Sequence, residues 1–365
     1  MLIFYVLLIV ALQIYSFALI DPNLTLVNHP WWVLFRDQLV YFGYYMRESS
    51  WYTYLAILIL LFISHLFFVK NYKKYNPLVV GGIIGFILIF SYPFLSHDFF
   101  NYIFDAKIFT YYHQNPYTHI PANFAGDEWL RFMHWVHRPY PYGPSYLVLS
   151  FIPSFLGLGK FILNFLFFKI FSVIFYLLGI YYLQKLDKRI ALIFATHPLI
   201  ILEGLVSAHN DLIGVSLAII GIYYLEQRRQ ILSRIFLVLS AGIKFITLPV
   251  ILLKRKRLTW NHLVFFLQIL LLVYLSFTRE IQPWYFLTLF VYLPYYKKFI
   301  SWSNIFLFGL LLSYYPFIAL GQWDKEKVGI KMSIIFVSLG INVAYLFIKR
   351  KELAQDLEEA KLLNK

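Results

Sequence analysis

The sequence predicts an all-α, polytopic helical bundle in a membrane. Hydrophobic residues make up 61% of the 365 and charged residues only 14%, whereas a soluble domain carries about 25% charged residues. Mean hydropathy is +0.67, and apolar runs of roughly 20 residues recur along the chain. Aromatic residues reach 21%, in keeping with Tyr and Trp at bilayer interfaces, where the ring is buried and the polar edge stays wet. Cysteine is absent, so disulfides and thiolate chemistry are excluded.

The apolar runs fall at 2–20, 51–69, 78–95, 145–158, 161–183, 190–206, 212–225, 231–253, 260–277, 283–296, 300–320 and 328–348. The first lacks a basic leader and a small-residue cleavage site, so it reads as a retained span rather than a signal peptide. The formal charge of +14 does not indicate nucleic acid, because the cations sit in short turns between apolar runs. They cluster at Lys70, Lys73 and Lys74; at Lys185, Lys188 and Arg189; at Arg228 and Arg229; at 254–257; at Lys297 and Lys298; and at 349–351. If every run crosses, the turns at 185–189 and 226–229 lie outside, against the positive-inside rule. If 145–158 and 231–253 instead enter and return on one side, all six clusters are cytoplasmic. Gly157 and Gly159 break the first segment, and Ala241-Gly242 with the intramembrane Lys244 breaks the second. This gives about ten spans plus two re-entrant segments. Residues 1–348 form a single transmembrane catalytic domain, and 349–365 a cytoplasmic tail with amphipathic patterning.

In that topology the loops 21–50, 96–143, 207–211, 278–282 and 321–327 open on the outer face. The long one, 96–143, is polar and, with His97, His113, His119, His134 and His137, holds five of the ten histidines. Asp98 occupies an N-cap position, and helical periodicity follows it. Asp98, Asn101, Tyr102 and Asp105 then share a face, and the Asn115-Pro116-Tyr117 turn ends the helix. A second helix, lying in the interface, is predicted over 127–137, with Trp129, Phe132, Met133 and Val136 on one side and Arg131 and His134 on another.

Asp98 is the leading catalytic candidate: a carboxylate just beyond an apolar span, able to take a proton from an acceptor hydroxyl. The plain alternative is a helix cap. Asp105 and Lys107 do not face each other. His134 and His137 lack a carboxylate that would complete a metal site, so no metal or other cofactor is expected, although a divalent ion is conceivable chemically. His209-Asn210-Asp211 ends one apolar run and begins the next, and Glu203 lies within the earlier one. A polar turn capped by Asp211 is the bland reading. Lys244, at depth, needs an anion, a carboxylate or carbonyls. Arg138, Lys107 and Arg279 add cations, as a lipid-linked phosphate requires.

The order of these residues resembles the integral-membrane GT-C glycosyltransferases, especially the polyprenol-phosphate-dependent mannosyltransferase-like group. The matching positions are Asp98, Tyr102 with Asp105, Asn115-Pro116-Tyr117, Tyr142-Gly143-Pro144, Glu203, His209-Asn210-Asp211, Gly242 with Lys244, and Gln282-Pro283-Trp284-Tyr285. The likeness covers about 90–290. The family usually has a second acid beside the catalytic Asp, where this chain has His97, and that departure puts metal use in question. The resemblance implies inverting transfer of mannose or another hexose from a polyprenyl-phosphate donor to a lipid, glycan or protein acceptor. The reaction would take place on the outer face of a prokaryotic cell membrane, with Asp98 as base and the other residues binding substrate and phosphate. Two rival readings remain. A flippase or transporter of polyprenol-linked lipids would account for Lys244 and Glu203, and an acyltransferase would need a membrane-embedded His such as His209.

Overall fold

The computed structural model describes residues 1–24, 26–321 and 324–353. Its described residues form helices and no strands. Helix α1 (Leu2–Tyr15) tightens into a 3₁₀ turn, α2 (Pro30–Val40) ends in a π turn, and α3 (Arg47–Lys70), α4 (Pro77–Leu88) and α5 (Asp98–Thr110) follow. Next come α6 (Pro144–Leu156), α7 (Phe161–Leu186) and α8 (Lys188–Thr196), the last continued by a π segment, Ile200–Val206. The chain proceeds through α9 (Asp211–Glu226), α10 (Gln230–Ala241), a 3₁₀ segment Phe245–Leu252, α11 (Leu258–Thr278) and a 3₁₀ segment Pro283–Tyr292. It closes with α12 (Leu293–Trp302), α13 (Asn304–Leu312) and α14 (Lys325–Ile348).

Local chemistry sets the helix starts. Asn76 and Asp187 accept the backbone N–H of Leu78 (3.0 Å) and Arg189 (2.6 Å), and Pro77 occupies the first turn of α4. The same grammar builds α2 inside the loop expected over 21–50: His29 accepts the Trp31 N–H and Pro30 opens the helix.

Among the described residues, five helices are long and apolar enough to cross a membrane, and up to seven spans result if each of two bent pairs counts as one. The bends are 65° between Lys188–Thr196 and Ile200–Val206 and 75° between Pro283–Trp302 and Asn304–Leu320. Ten spans were expected. Of those ten runs, 78–95 and 212–225 yield helices of only 12 and 16 residues, and 283–296 and 300–320 fall in one bent pair. At 1.5 Å per residue the two short helices reach about 18 and 24 Å, short of the ~30 Å hydrocarbon core.

The run 231–253 folds back on itself, as its Gly242 suggested. Arg234 on the outgoing limb donates to the carbonyls of Ile251 and Leu253 on the returning limb, and the break between them carries Lys244. Helix α6 behaves differently. Phe109 stacks on Phe151 at 4.3 Å, Tyr102 meets Tyr146 at 5.1 Å and Thr110 reaches Ser154 at 2.8 Å. That register makes α6 run beside α5 in the same direction, with the loop 111–143 returning between them.

The basic turns gather at one end of the bundle. Lys188 donates to the Lys73 carbonyl (2.9 Å), Lys297 reaches Asp187 (4.0 Å), Arg255 meets Glu226 (3.8 Å) and Tyr295 bonds the same Glu226 (3.0 Å). Helix α3 carries Lys70 at that end and Arg47 at the other, and α7 and α11 likewise span the two. The amphipathic tail expected beyond Lys349 lies mostly outside the described residues.

Candidate active site

At the end remote from the basic turns, segments from the whole chain enclose a cavity of about 1030 Å³. Asp98, His97, Arg138, Tyr142 and Lys244 line it together with Arg47, Arg279, Gln282 and Trp284.

Asp98 is not a cap. The helix begins one residue earlier than expected: Asp98 is its first residue, and Ser96 Oγ takes the Asp98 N–H at 3.2 Å. The carboxylate is therefore spared a capping role and faces the cavity, where Oδ2 accepts the Tyr142 hydroxyl at 3.3 Å. Beside it, His97 and His134 rings lie 3.9 Å apart. Burial, with a smaller push from His134, lowers His97 to about 4, so its imidazole is neutral at neutral pH. Among the described residues no group of three or more His, Cys, Asp or Glu is gathered to hold a metal ion.

Two of the sequence motifs meet through their backbones. The Gly143 and Ser145 amides donate to the carbonyls of Ile243 and Gly242, each at 3.0 Å. A Cβ on Gly143 would run into the Gly242 carbonyl, so this crossing requires glycine. It brings Lys244 to the cavity, where its ammonium donates to Asp211 Oδ2 at 2.6 Å and lies 5.3 Å from the Tyr142 ring centre. Lys244 thus has the carboxylate partner that the sequence left open, and it also lines the cavity.

The His209-Asn210-Asp211 turn lies behind the cavity lining. His209 stacks on Trp284 at 4.0 Å, its Nε2 is 3.4 Å from Glu203 Oε2, and Glu203 Oε1 accepts the Tyr314 hydroxyl at 2.9 Å. Tyr102 reaches Asn210 Oδ1 and His209 Nδ1, both at 3.5 Å. Tyr102, Glu203, His209, Asn210 and Asp211 are buried and support the wall from behind.

Asp105 is 3% exposed. Burial raises it to about 8, opposed by Arg138 and assisted by Asp98. It is a second carboxyl near the site, held protonated near neutral pH, and it does not line the cavity. Arg138 does, with its guanidinium 4.6 Å from the Trp135 ring.

Three residues from the sequence analysis stand apart. Lys107 pairs with Asp127 and lies 3.5 Å from the Trp129 ring. Asn115 accepts the Tyr117 N–H (2.9 Å) within its own turn, and Tyr117 donates to the Tyr142 carbonyl (3.1 Å). Helix α5 ends at Thr110, before that turn, where His113 takes a left-handed φ of 55° and the Gln114 amide reaches back to Ile108. The helix predicted over 127–137 reduces to a 3₁₀ turn, Glu128–Phe132. Beyond it the backbone is claimed from outside: Ala122 donates to the Val136 carbonyl and Asn101 to that of Trp135.

Sequence reading missed Arg47, Tyr314 and Lys331. Arg47 donates to the Ile318 carbonyl at 3.3 Å and lines the cavity. Lys331, fully buried, bonds Glu280 (2.6 Å) and Gln282 (3.1 Å), bracing the cavity wall from α14. A lysine inside an apolar run was the available signal for Lys331. Arg47 carried none, because it precedes its run.

Residues 11–256 match the family model described as alpha-(1->6)-mannopyranosyltransferase, N-terminal domain, of the MptA_B family. The chain belongs to this mannosyltransferase family. No match was found among curated proteins or among solved structures. The matched region supplies Arg47, Asp98, Arg138, Tyr142, Asp211 and Lys244. The cavity of this mannosyltransferase also draws on Arg279, Gln282, Trp284 and Tyr314, which lie beyond it.

Proposed function

We propose that this mannosyltransferase, a GT-C-type enzyme, takes mannose from a polyprenyl-phosphate donor and passes it, with inversion, to a hydroxyl of a lipid, glycan or protein acceptor on the outer face of a prokaryotic membrane. The observation that carries the reading is a lining carboxylate, Asp98, in a cavity that also presents Arg47, Arg138, Lys244 and Arg279; Asp21 lines the cavity as well, but its Oδ1 is taken by the Asn23 N–H at 2.8 Å. Asp98 takes the acceptor proton as the hydroxyl oxygen bonds to the anomeric carbon. The bond from that carbon to the phosphate oxygen breaks, and the electron pair leaves with the polyprenyl phosphate. Attack from the face opposite the leaving group inverts the anomeric centre. Tyr142 orients one Asp98 oxygen and leaves the other for the acceptor.

Cations matter most on the leaving side. Charge-assisted donors bond phosphate oxygens about twice as strongly as neutral ones, and fixed donors aimed at developing charge need no reorganisation. Protein cations supply that charge in this scheme, with no metal assigned. The scheme is tested with Asp98→Asn in purified, folded protein. Turnover is expected to fall by two to four decades, on the order of a lost general base, with donor KM little changed. Near-normal transfer by Asp98→Asn would remove Asp98 from the chemistry.

A further inference from the structure

Lys169 lies in the first half of α7, 1% exposed, and among the described residues no carboxylate is bonded to it. Its ammonium donates to the Leu205 carbonyl (2.7 Å), the Val206 carbonyl (2.6 Å) and Ser91 Oγ (3.0 Å). Ser91 Oγ itself donates to the Leu88 carbonyl, so toward Lys169 it accepts. Three acceptors use all three N–H bonds of an ammonium, whereas a neutral amine has only two to give. As an ammonium, Lys169 would therefore meet all three acceptors with no counterion in the bundle interior, a costly placement for a charge.

Its partners are the end of one site segment and the approach to another. Leu205 and Val206 close the π segment Ile200–Val206, whose last carbonyls have no partner further along the helix. Ala208 then adopts a left-handed φ of 52°, and His209, Asn210 and Asp211 follow. Ser91 opens the stretch that leads to Asp98, and Lys169 also lies 5.7 Å from the ring of Phe99, the residue after Asp98. One ammonium thus ties the strand of chain entering Asp98 to the helix end that launches the His209–Asn210–Asp211 turn. The helix-end carbonyls carry partial negative charge, which favours a cation at this spot.

We propose that Lys169 is a positioning residue: it sets the His209–Asn210–Asp211 turn, and through Asp211 the Lys244 ammonium, relative to Asp98. It touches no substrate. The inference rests on the site assigned above. A misplacement of the order of 1 Å far from the chemistry costs about 100-fold in rate, which sets the size of the expected effect.

Wild type, Lys169→Met and Lys169→Arg are compared for mannosyl transfer and for amide hydrogen exchange over 205–213. Tyr176→Phe, on the same helix, serves as a control for stability loss alone. Lys169→Met is expected to lose kcat by about 10- to 100-fold with donor KM held within about 2-fold, and to exchange faster over 205–213 than over the rest of α9. Lys169→Arg, still able to donate to both carbonyls, recovers part of the kcat. Normal kcat in Lys169→Met, or a loss no larger than Tyr176→Phe shows at equal loss of Tm, overturns the proposal. If Lys169→Met does not fold, Ser91→Ala decides: a several-fold fall in kcat supports it, and unchanged kcat overturns it. Failure of the wild type with polyprenyl-phosphate mannose would sink the donor reading alone. The same variants are then compared with whichever mannosyl donor supports turnover.

Discussion

Two carboxyls on one helix, Asp98 and Asp105, have different surroundings. Asp98 borders an open cavity with a phenol and several cations around it, and Asp105 is sealed among aromatic residues and raised to about 8. An acid whose folded pKa lies above its unfolded value binds more protons when folded. Stability contributed by Asp105 is therefore full below about pH 4 and declines as pH rises toward about 8, beyond which the slope vanishes. Asp105→Asn should flatten that part of the stability profile and raise Tm at pH 8 relative to wild type. An unchanged slope between pH 5 and 8 in the variant would show that another group carries it. Lys244 is the other residue with a sharp expectation. It bonds Asp211 and also lines the cavity, so Lys244→Gln should raise donor KM and lower stability together, because Asp211 is left buried without its cation. If stability falls while donor dependence is unchanged, Lys244 is purely a structural bridge. Lys244 was picked out from sequence as a charge where hydrocarbon was expected, and Asp105 by its place on the face of the helix that carries Asp98.

The elements were legible where hydrophobic periodicity and capping decide the outcome, and illegible where distant backbone competes. Helices α3, α7, α11 and α14 fall on predicted runs, as does the break at Gly242. The stretch 127–137 has the right spacing for an amphipathic helix, yet its carbonyls are taken by Ala122 and Asn101, partners no local pattern reveals. For the same reason α6 could be placed on one side of the bundle from its length and glycines, but its alignment with α5 came only from the paired rings. The contact between Gly143 and Gly242 is the element-scale feature on which the site depends most. Gly143→Ala should force the two backbones apart, costing about 1–3 kcal/mol of stability and reducing kcat, since Tyr142 and Lys244 ride on the two strands. Full activity in Gly143→Ala would show that the crossing does not set their positions.

At the scale of the whole molecule, the basic turns meet at one end and the cavity opens at the other, with α3, α7 and α11 linking them. The positive-inside rule supports the proposed placement of the cavity on the outer face. A thiol introduced at Asn123, in a chain without cysteine, should react with an impermeant reagent from outside the cell. Labelling only after the inner face is exposed would reverse the orientation. The separation of the basic turns from the polar loop was legible in sequence because it is written in composition. Sequence could not supply the cavity's membership, since Arg47 and Tyr314 come from opposite ends of the chain and meet only when folded. The donor remains the centre of the account, because nucleotide sugars are made and held on the cytoplasmic side whereas a lipid carrier delivers its sugar to the outer one. The decisive measurement offers purified enzyme in proteoliposomes two labelled donors in parallel, polyprenyl-phosphate mannose and GDP-mannose, with the same acceptor. The account predicts transfer from the polyprenyl phosphate and none above background from GDP-mannose. Turnover with GDP-mannose, and none with the lipid-linked sugar, would contradict it.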